Sequence, residues 1–148
     1  MRDMKTDYPD ALDADRVGEY PAEAYAGGGY VWDAVLEYRV WCSPREGARD
    51  LADGSDYYYP FSTYEEAYSC FEDLVGSSEP LALILQEEYI DEPESGRYVH
   101  VRKRRITEWP VEFLSRPRRT PDTIISFLSP DAPANRLDIL RGLAKPPE

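Results

Sequence analysis

The sequence predicts an α+β fold: a small, mainly antiparallel sheet with one main helix packed on it, followed by a proline-rich C-terminal segment with short helices. Three observations predict it. Residues 35–42 (VLEYRVWC) alternate as a strand does, and residues 62–76 place apolar side chains at helical spacing. Seven of the chain's 13 prolines fall within residues 110–148, where they separate short apolar pieces.

Three further segments are predicted to be extended. Residues 57–61 (YYYPF) combine aromatics with Pro60, which belongs at an edge or a strand end. Residues 81–85 (LALIL) are uninterrupted apolar, as in a central strand covered on both faces. Residues 93–96 (PESG) are typical of a turn, which predicts a hairpin between QEEYIDE and RYVHVRKRRIT.

The main helix follows Thr63, which we predict as its N-cap. Glu66, three residues later, completes the pattern of a capping box, and Gly76 supplies a stop signal. The spacing i, i+3, i+4, i+7 predicts one apolar face, formed by Ala67, Cys70, Phe71 and Leu74.

Composition divides the chain into three predicted parts. Residues 1–30, with scattered acids and a run of three glycines, are expected to form a flexible acidic N-terminal arm. Residues 31–109 form the α+β core. Residues 110–148 form a proline-rich wrap, with short helices opened by Thr120 and Pro121 and by Asn135.

Charge and hydropathy exclude several classes of function. The formal net charge of −12 opposes unspecific binding to nucleic acid or to an anionic membrane surface. No apolar stretch approaches the roughly 20 residues that span a bilayer, and the N-terminus lacks the pattern of a secretory leader. We therefore expect a cytoplasmic protein, in which Cys42 and Cys70 are reduced core thiols.

A basic run at residues 97–105 lies in the second arm of the predicted hairpin. A turn centred near residues 94 and 95 places Glu87 and Glu88 opposite residues 101–103. Opposite charges across an antiparallel pair stabilise it, so we favour internal neutralisation of this run. A docking patch for an anion or a partner is the alternative, and direct nucleic-acid binding is disfavoured by the global charge.

The segment SRPRRTP carries a second basic cluster, Arg116, Arg118 and Arg119, with no acidic arm beside it in sequence. Prolines hold it extended, so its guanidinium groups are suited to grip a carboxylate or phosphate of a protein partner. We predict these three arginines and Trp109 as the partner-binding residues. The alternative is a solvated loop.

Other candidate sites are weak. The loop DLADGSD, residues 50–56, has carboxylates but not the alternating acids of a calcium loop, and we expect no metal site. His100, the only histidine, has no nucleophile at useful spacing. The sequence contains no phosphate-cradling glycine motif, no GxSxG and no HExxH.

Five segments carry a family resemblance: VLEYRVWC, FSTYEEA, PLALILQEEYIDEPESGRYVHV, ITEWPVEFLSRPRRTP and SFLSPDAPANRLDILRGLA. Over roughly residues 35–144 the chain resembles short bacterial proteins carried under the label of GCN5-related N-acetyltransferases. The resemblance implies acetyl transfer with acetyl-CoA as cofactor. That family binds the cofactor pyrophosphate with a Q/R-x-x-G-x-G/A loop, whereas Gln86 is followed here by Glu87, Glu88 and Tyr89. No catalytic or cofactor residue is therefore assigned.

The leading hypothesis is a small protein-interaction or accessory module with no active site and no cofactor of its own. An acetyl-CoA-dependent N-acetyltransferase is the first alternative. The second is an acidic inhibitor that mimics nucleic acid: residues 97–119 carry eight basic and two acidic side chains, a balance of +6, so the rest of the chain carries −18.

Overall fold

The computed structural model describes residues 8–147 and confirms the α+β fold. The seven strands of the described residues are β1 (Tyr25–Ala26), β2 (Ala34–Cys42), β3 (Tyr57–Phe61), β4 (Leu81–Gln86), β5 (Tyr89–Glu94), β6 (Arg97–Val101) and β7 (Arg105–Pro110). The α-helices are α1 (Tyr64–Asp73), α2 (Thr123–Leu128) and α3 (Arg136–Leu140), and single 3₁₀ turns span Ala14–Arg16, Pro44–Glu46 and Val111–Ser115. None of these helices has the length and apolarity needed to cross a membrane.

The described residues fall into two compact units. The first combines the residues up to Glu23 with Val35–Leu83, and the second combines Ala24–Ala34 with the residues from Ile84 onward. The three parts predicted from composition, 1–30, 31–109 and 110–148, do not coincide with these units, because each unit contains residues from more than one part.

In the first unit the strand order is β4-β2-β3, and β2 pairs antiparallel with β3, from Tyr38 opposite Phe61 to Cys42 opposite Tyr57. β3 is the edge strand, as its proline predicted. Both faces of β2 are buried: Glu37 and Arg39, which alternate with the apolar residues, are as fully buried as those neighbours.

Helix α1 begins where the sequence predicted. The Thr63 hydroxyl accepts the Glu66 N–H at 3.2 Å, as an N-cap does, while the Glu66 carboxylate accepts the hydroxyls of Ser62 and Thr63. The helix ends at Asp73, three residues before Gly76, so Leu74 lies outside it and is 40% exposed. Gly76 is required for another reason, because a Cβ there would lie 2.2 Å from the Ala48 nitrogen.

Residues 8–23, which belong to the predicted N-terminal arm, are part of the first unit and pack against its other residues. The N–H groups of Ala11 and Leu12 donate to the carbonyls of Ser62 and Val35 at 2.8 and 2.7 Å. The Tyr38 hydroxyl donates to the carbonyl of Pro9. These contacts tie the described part of the arm to β2 and to the start of α1.

In the second unit the strand order is β1-β7-β4, with β1 parallel to β7, and β5 and β6 form a separate antiparallel hairpin. Tyr89 faces Val101 and Asp91 faces Val99, a register one residue from the predicted one. The apolar core of this unit joins the hairpin to both C-terminal helices and contains Val31, Ile90, Ile124, Phe127 and Leu140. Asn135 precedes α3 as predicted, whereas α2 begins at Thr123, later than Pro121.

Candidate functional site

Arg119 is held inside the second unit by two carboxylates. Its Nε donates to Asp33 Oδ1 at 2.8 Å, and its Nη1 lies 3.3 Å from Glu88 Oε1. The side chain is 14% exposed, and the Arg119 N–H donates to the Trp32 carbonyl at 2.9 Å. Arg119 therefore fixes the position of the basic segment.

One of these two carboxylates, that of Glu88, also faces His100, the only histidine of the sequence. Glu88 Oε1 lies 3.1 Å from His100 Nε2, in a direction that does not satisfy hydrogen-bond geometry, so this contact is an ion pair only when the imidazole is protonated. Asp33 also accepts the Glu87 N–H at 2.7 Å. His100 is thus one member of a structural charge cluster.

Arg116 stacks on aromatic rings. Its guanidinium carbon lies 4.2 Å from the centroid of Phe113 and 5.0 Å from that of Trp109. Burial lowers the pKa of Arg116, and the charge of Arg141 lowers it further. The Arg116 carbonyl accepts the indole N–H of Trp32 at 3.0 Å, which anchors the backbone at this point.

Arg118 is the exposed member of the cluster. Its guanidinium carbon lies 4.9 Å from the ring centroid of Trp32, a cation–π contact. Among the described residues it has no carboxylate partner, and neither has Arg116. Trp32 therefore supports both, through its ring and its indole N–H.

Trp109 supports the segment from within. It is 1% exposed, and its indole N–H donates to the Gly28 carbonyl at 3.1 Å. The Trp109 ring lies beneath Arg116. Trp109 would therefore contribute to a binding surface by holding the Arg116 guanidinium in position. The structure thus brings Trp109 and Arg116 together, and adds Trp32 and Asp33, which no local sequence pattern connects with this segment.

The end of α3 packs on the same segment. A Cβ at Gly142 would lie 3.2 Å from Pro117 Cδ and 3.3 Å from the Ser115 carbonyl oxygen. The preceding residue, Arg141, places its guanidinium carbon 5.8 Å from the ring centroid of Tyr30. Sequence reasoning missed Arg141, because its distance along the chain hides its proximity to Arg116.

Gln86, the residue compared with the start of a pyrophosphate-binding loop, is fully buried. Its Nε2 donates to the carbonyls of Gly28 and Val31 at 3.0 and 2.8 Å, and its Oε1 accepts Arg105 Nε at 2.7 Å. The side chain is committed to holding the glycine-containing turn, Gly27 to Gly29, next to β4 and β7.

The basic run of the hairpin is partly neutralised as the sequence predicted. Arg104 donates from Nη2 to Glu87 Oε1 at 2.7 Å. Arg105 differs, because its guanidinium lies between the rings of Tyr89 and Tyr25, 3.9 and 4.8 Å from their centroids. Arg102 and Lys103 are exposed. Internal pairing therefore accounts for one arginine, and aromatic stacking for another.

The two cysteines are buried or partly buried, and the acidic loop contains a hydrogen bond between its own residues. Both thiols are free, and burial raises the pKa of each, with Cys42 the more enclosed. Asp50 accepts the Gly54 N–H at 2.7 Å within its own loop. Within residues 8–147 no group of three or more His, Cys, Asp or Glu side chains is placed to hold a metal ion.

A groove of about 550 Å³ lies between α2, α3 and the following proline-rich residues. Its volume is in the range of small-molecule sites. The charged side chains of its wall are Asp122, Asp131 and Arg136. Arg136 donates to the Phe127 carbonyl at 2.7 Å and stacks on that ring, so the groove offers little positive charge for a cofactor pyrophosphate.

Comparison with known proteins does not add a family to this description. No family model, no curated protein and no solved structure matches the chain. The functional argument therefore rests on the geometry of its own residues.

Proposed function

We propose that the protein is a small interaction module without an active site of its own, which docks an acidic segment of a protein partner on the surface formed by Arg116 and Arg118. One observation carries the proposal: within the described residues, both guanidinium groups stack on aromatic rings and neither has a carboxylate partner. Their neighbour Arg119, by contrast, is already ion-paired.

Stacking suits these arginines to binding. A guanidinium group that lies over a ring keeps its N–H donors at the edge, where they match the two oxygens of a carboxylate. The rings and the Trp32 hydrogen bond also hold the segment in place before a partner arrives. Less side-chain freedom is then lost on binding, which favours affinity.

The nucleophile candidates support a role in binding more than in catalysis. Burial raises the pKa of the Cys42 thiol, which reduces the thiolate fraction at neutral pH. His100 faces Glu88 in the charge cluster, and Gln86 is used inside the fold. The acetyltransferase alternative would require millimolar or tighter binding of acetyl-CoA, and calorimetry showing no heat at that concentration would remove it.

The test is binding of a fluorescent, glutamate-rich peptide, followed by anisotropy, as a stand-in for the acidic partner segment. We expect the double variant R116M/R118M to weaken binding about tenfold or more, because two charge-assisted contacts are lost. The matched control is R102M/K103M, which removes the same charge from an exposed stretch of the hairpin. Equal affinity of the two double variants would contradict the proposal.

Affinity capture from lysate of the source cells extends the test to the natural partner. A partner should be retained by the unmodified chain and by R102M/K103M, and lost by R116M/R118M. The same set of retained proteins for all three chains would argue against docking at this surface.

A further inference from the structure

The groove between α2 and α3 has mainly apolar walls, and all the residues that line it belong to the second unit. Its larger apolar side chains are those of Pro117, Phe127, Pro133, Ile139, Leu140 and Pro146. Phe127 and Leu140 also belong to the apolar core of this unit, so fixed side chains back the groove. Because proline has a fixed backbone angle, the prolines stiffen the remaining wall. The groove is therefore a preformed apolar site, and its volume of about 550 Å³ is large enough for a small organic ligand.

The chain itself uses three of the four hydroxyl groups of the wall. The Thr123 hydroxyl accepts the Thr120 N–H at 2.8 Å, and the two threonine hydroxyls lie 3.2 Å apart. The Ser129 hydroxyl accepts the Asp131 N–H at 3.1 Å. Recognition of a ligand in this groove therefore depends mainly on the charged side chains of the wall.

Those charged side chains differ in what they already contact. Arg136 donates to the Phe127 carbonyl at 2.7 Å, and its guanidinium carbon lies 4.6 Å from the Phe127 ring centroid. Asp122 and Asp131 are exposed, and neither carboxylate has a hydrogen bond or an ion pair with another residue in the described range 8–147. Lys145 is exposed and does not line the groove. The wall thus combines two unpaired carboxylates with one guanidinium that is held on a ring, a balance of −1.

We infer that the groove binds a small organic cation, an amine carried on an apolar body that contains a ring. The apolar body leaves water for the apolar wall, which favours binding. The ammonium group has donors only, and it forms a charge-assisted hydrogen bond with the carboxylate of Asp122 or Asp131. An anion is disfavoured because it meets two like charges, while the one opposite charge already contacts the Phe127 carbonyl and ring.

This site goes beyond the proposed docking role, because its ligand is a small cation and the docking surface takes an acidic protein segment. The two proposals also fail separately. D122N/D131N should weaken binding of the amine and should not weaken binding of the glutamate-rich peptide. R118M should weaken binding of the peptide and should not weaken binding of the amine.

The test compares three ligands that share one indole-ethyl body and differ in charge near neutral pH: tryptamine is a cation, tryptophol is neutral and indolepropionate is an anion. Binding is followed by NMR of the ¹⁵N-labelled chain, with the amide signals of Thr123, Ser126 and Ile139 as reporters in the wall. We expect saturable shifts with millimolar tryptamine. Tryptamine should bind about fivefold or more tightly than either of the others, because it alone gains the charge-assisted hydrogen bond.

Isosteric variants then test the two carboxylates. D122N/D131N should bind tryptamine no more tightly than tryptophol, and the two single variants show which carboxylate contributes more. The matched control is D91N/D138N, which removes the same charge from exposed positions outside the wall and should keep the preference for tryptamine. Circular dichroism confirms that each variant is folded.

Three results would overturn the inference. The first is that tryptamine causes no saturable shift of the wall signals. The second is that indolepropionate binds as tightly as tryptamine. The third is that D91N/D138N weakens tryptamine binding as much as D122N/D131N does, since the effect would then come from the total charge of the chain.

Discussion

Glu37 and Arg39 form an ion pair two residues apart on one face of β2, and both side chains are fully buried. Arg39 Nε donates to Glu37 Oε2 at 2.7 Å. The other oxygen of Glu37 accepts the Gly18 N–H at 2.8 Å, and Arg39 also donates to the carbonyls of Pro21 and Ala22 at 2.6 and 3.1 Å. The pair thus binds the chain around residues 18–22 to the strand.

We expect Arg39→Met to lower the free energy of unfolding by about 3–5 kcal/mol, because it leaves the Glu37 carboxylate buried without its counter-charge. The double variant E37M/R39M should recover part of this loss, since the uncompensated charge is gone while the carbonyls of Pro21 and Ala22 still lack their donor. Urea denaturation of the three chains measures both differences.

The matched control is Arg104→Met. Its ion pair with Glu87 is as short, 2.7 Å, but the Arg104 side chain is 69% exposed. Surface pairs of this kind contribute about 0.2–1 kcal/mol, so R104M should be nearly neutral. Similar losses for R39M and R104M would show that burial does not determine the cost.

Local sequence signals predicted most elements of the fold, but in β2 they did not predict which side chains are buried. Alternation predicted the strand, and Thr63 with Glu66 predicted the start of α1, because strand period and helix capping depend on neighbours in sequence. Alternation placed Glu37 and Arg39 on the face opposite the apolar residues of β2, and it did not indicate that this face is buried as well. Their opposite charges, two residues apart on one face, were the only signal of a buried pair.

The candidate site was predictable in part. The run SRPRRTP identified the arginines from sequence, but their neighbours are distant: Asp33 is 86 residues from Arg119. Trp32 and Arg141 likewise reach the segment through the tertiary fold. The sequence pattern of this segment indicates its charge and stiffness. It does not indicate which arginine forms an ion pair within the fold.

Arg118 and Arg119 should differ in their effect on stability. Arg119→Met removes a largely buried partner from Asp33, whose side chain is 13% exposed, and we expect a loss of about 1–3 kcal/mol. Arg118→Met removes an exposed cation–π contact with Trp32 and should cost no more than about 1 kcal/mol. Thermal unfolding of both single variants provides the comparison, and a larger loss for R118M would reverse the assigned roles.

Gly29 and Gly27 form a matched pair of glycines, with φ of +83° and +77°. Gly29→Ala places a Cβ 2.4 Å from Gln86 Nε2 and 2.8 Å from an Arg105 nitrogen, whereas Gly27→Ala meets nothing within 4 Å. Both variants bear the cost of a left-handed backbone, about 1–2 kcal/mol. Crowding should lower the free energy of unfolding of G29A by about 1–3 kcal/mol more. Equal unfolding midpoints in urea would show that Gln86 and Arg105 move aside freely.

The ionisation of Tyr30 makes the stability of the second unit depend on pH in the alkaline range. Burial, and then its hydrogen bond to the Glu92 carboxylate, raises the pKa of Tyr30 from 10.0 to about 12. Because the folded-state pKa exceeds the unfolded one, the neutral phenol stabilises the fold fully below pH 10. That contribution is lost as pH rises from 10 towards 12.

Phenolate absorbance during an alkaline titration should therefore show a late-titrating tyrosine that is missing in Tyr30→Phe. Glu92→Gln keeps an acceptor oxygen but removes the negative charge, so it should lower the pKa of Tyr30 and move this late step to lower pH. The fold must be followed by circular dichroism through the same range, because alkaline unfolding would expose every tyrosine at once. A late step that is unchanged in both variants would mean that another tyrosine, such as the more deeply buried Tyr38, is responsible for it.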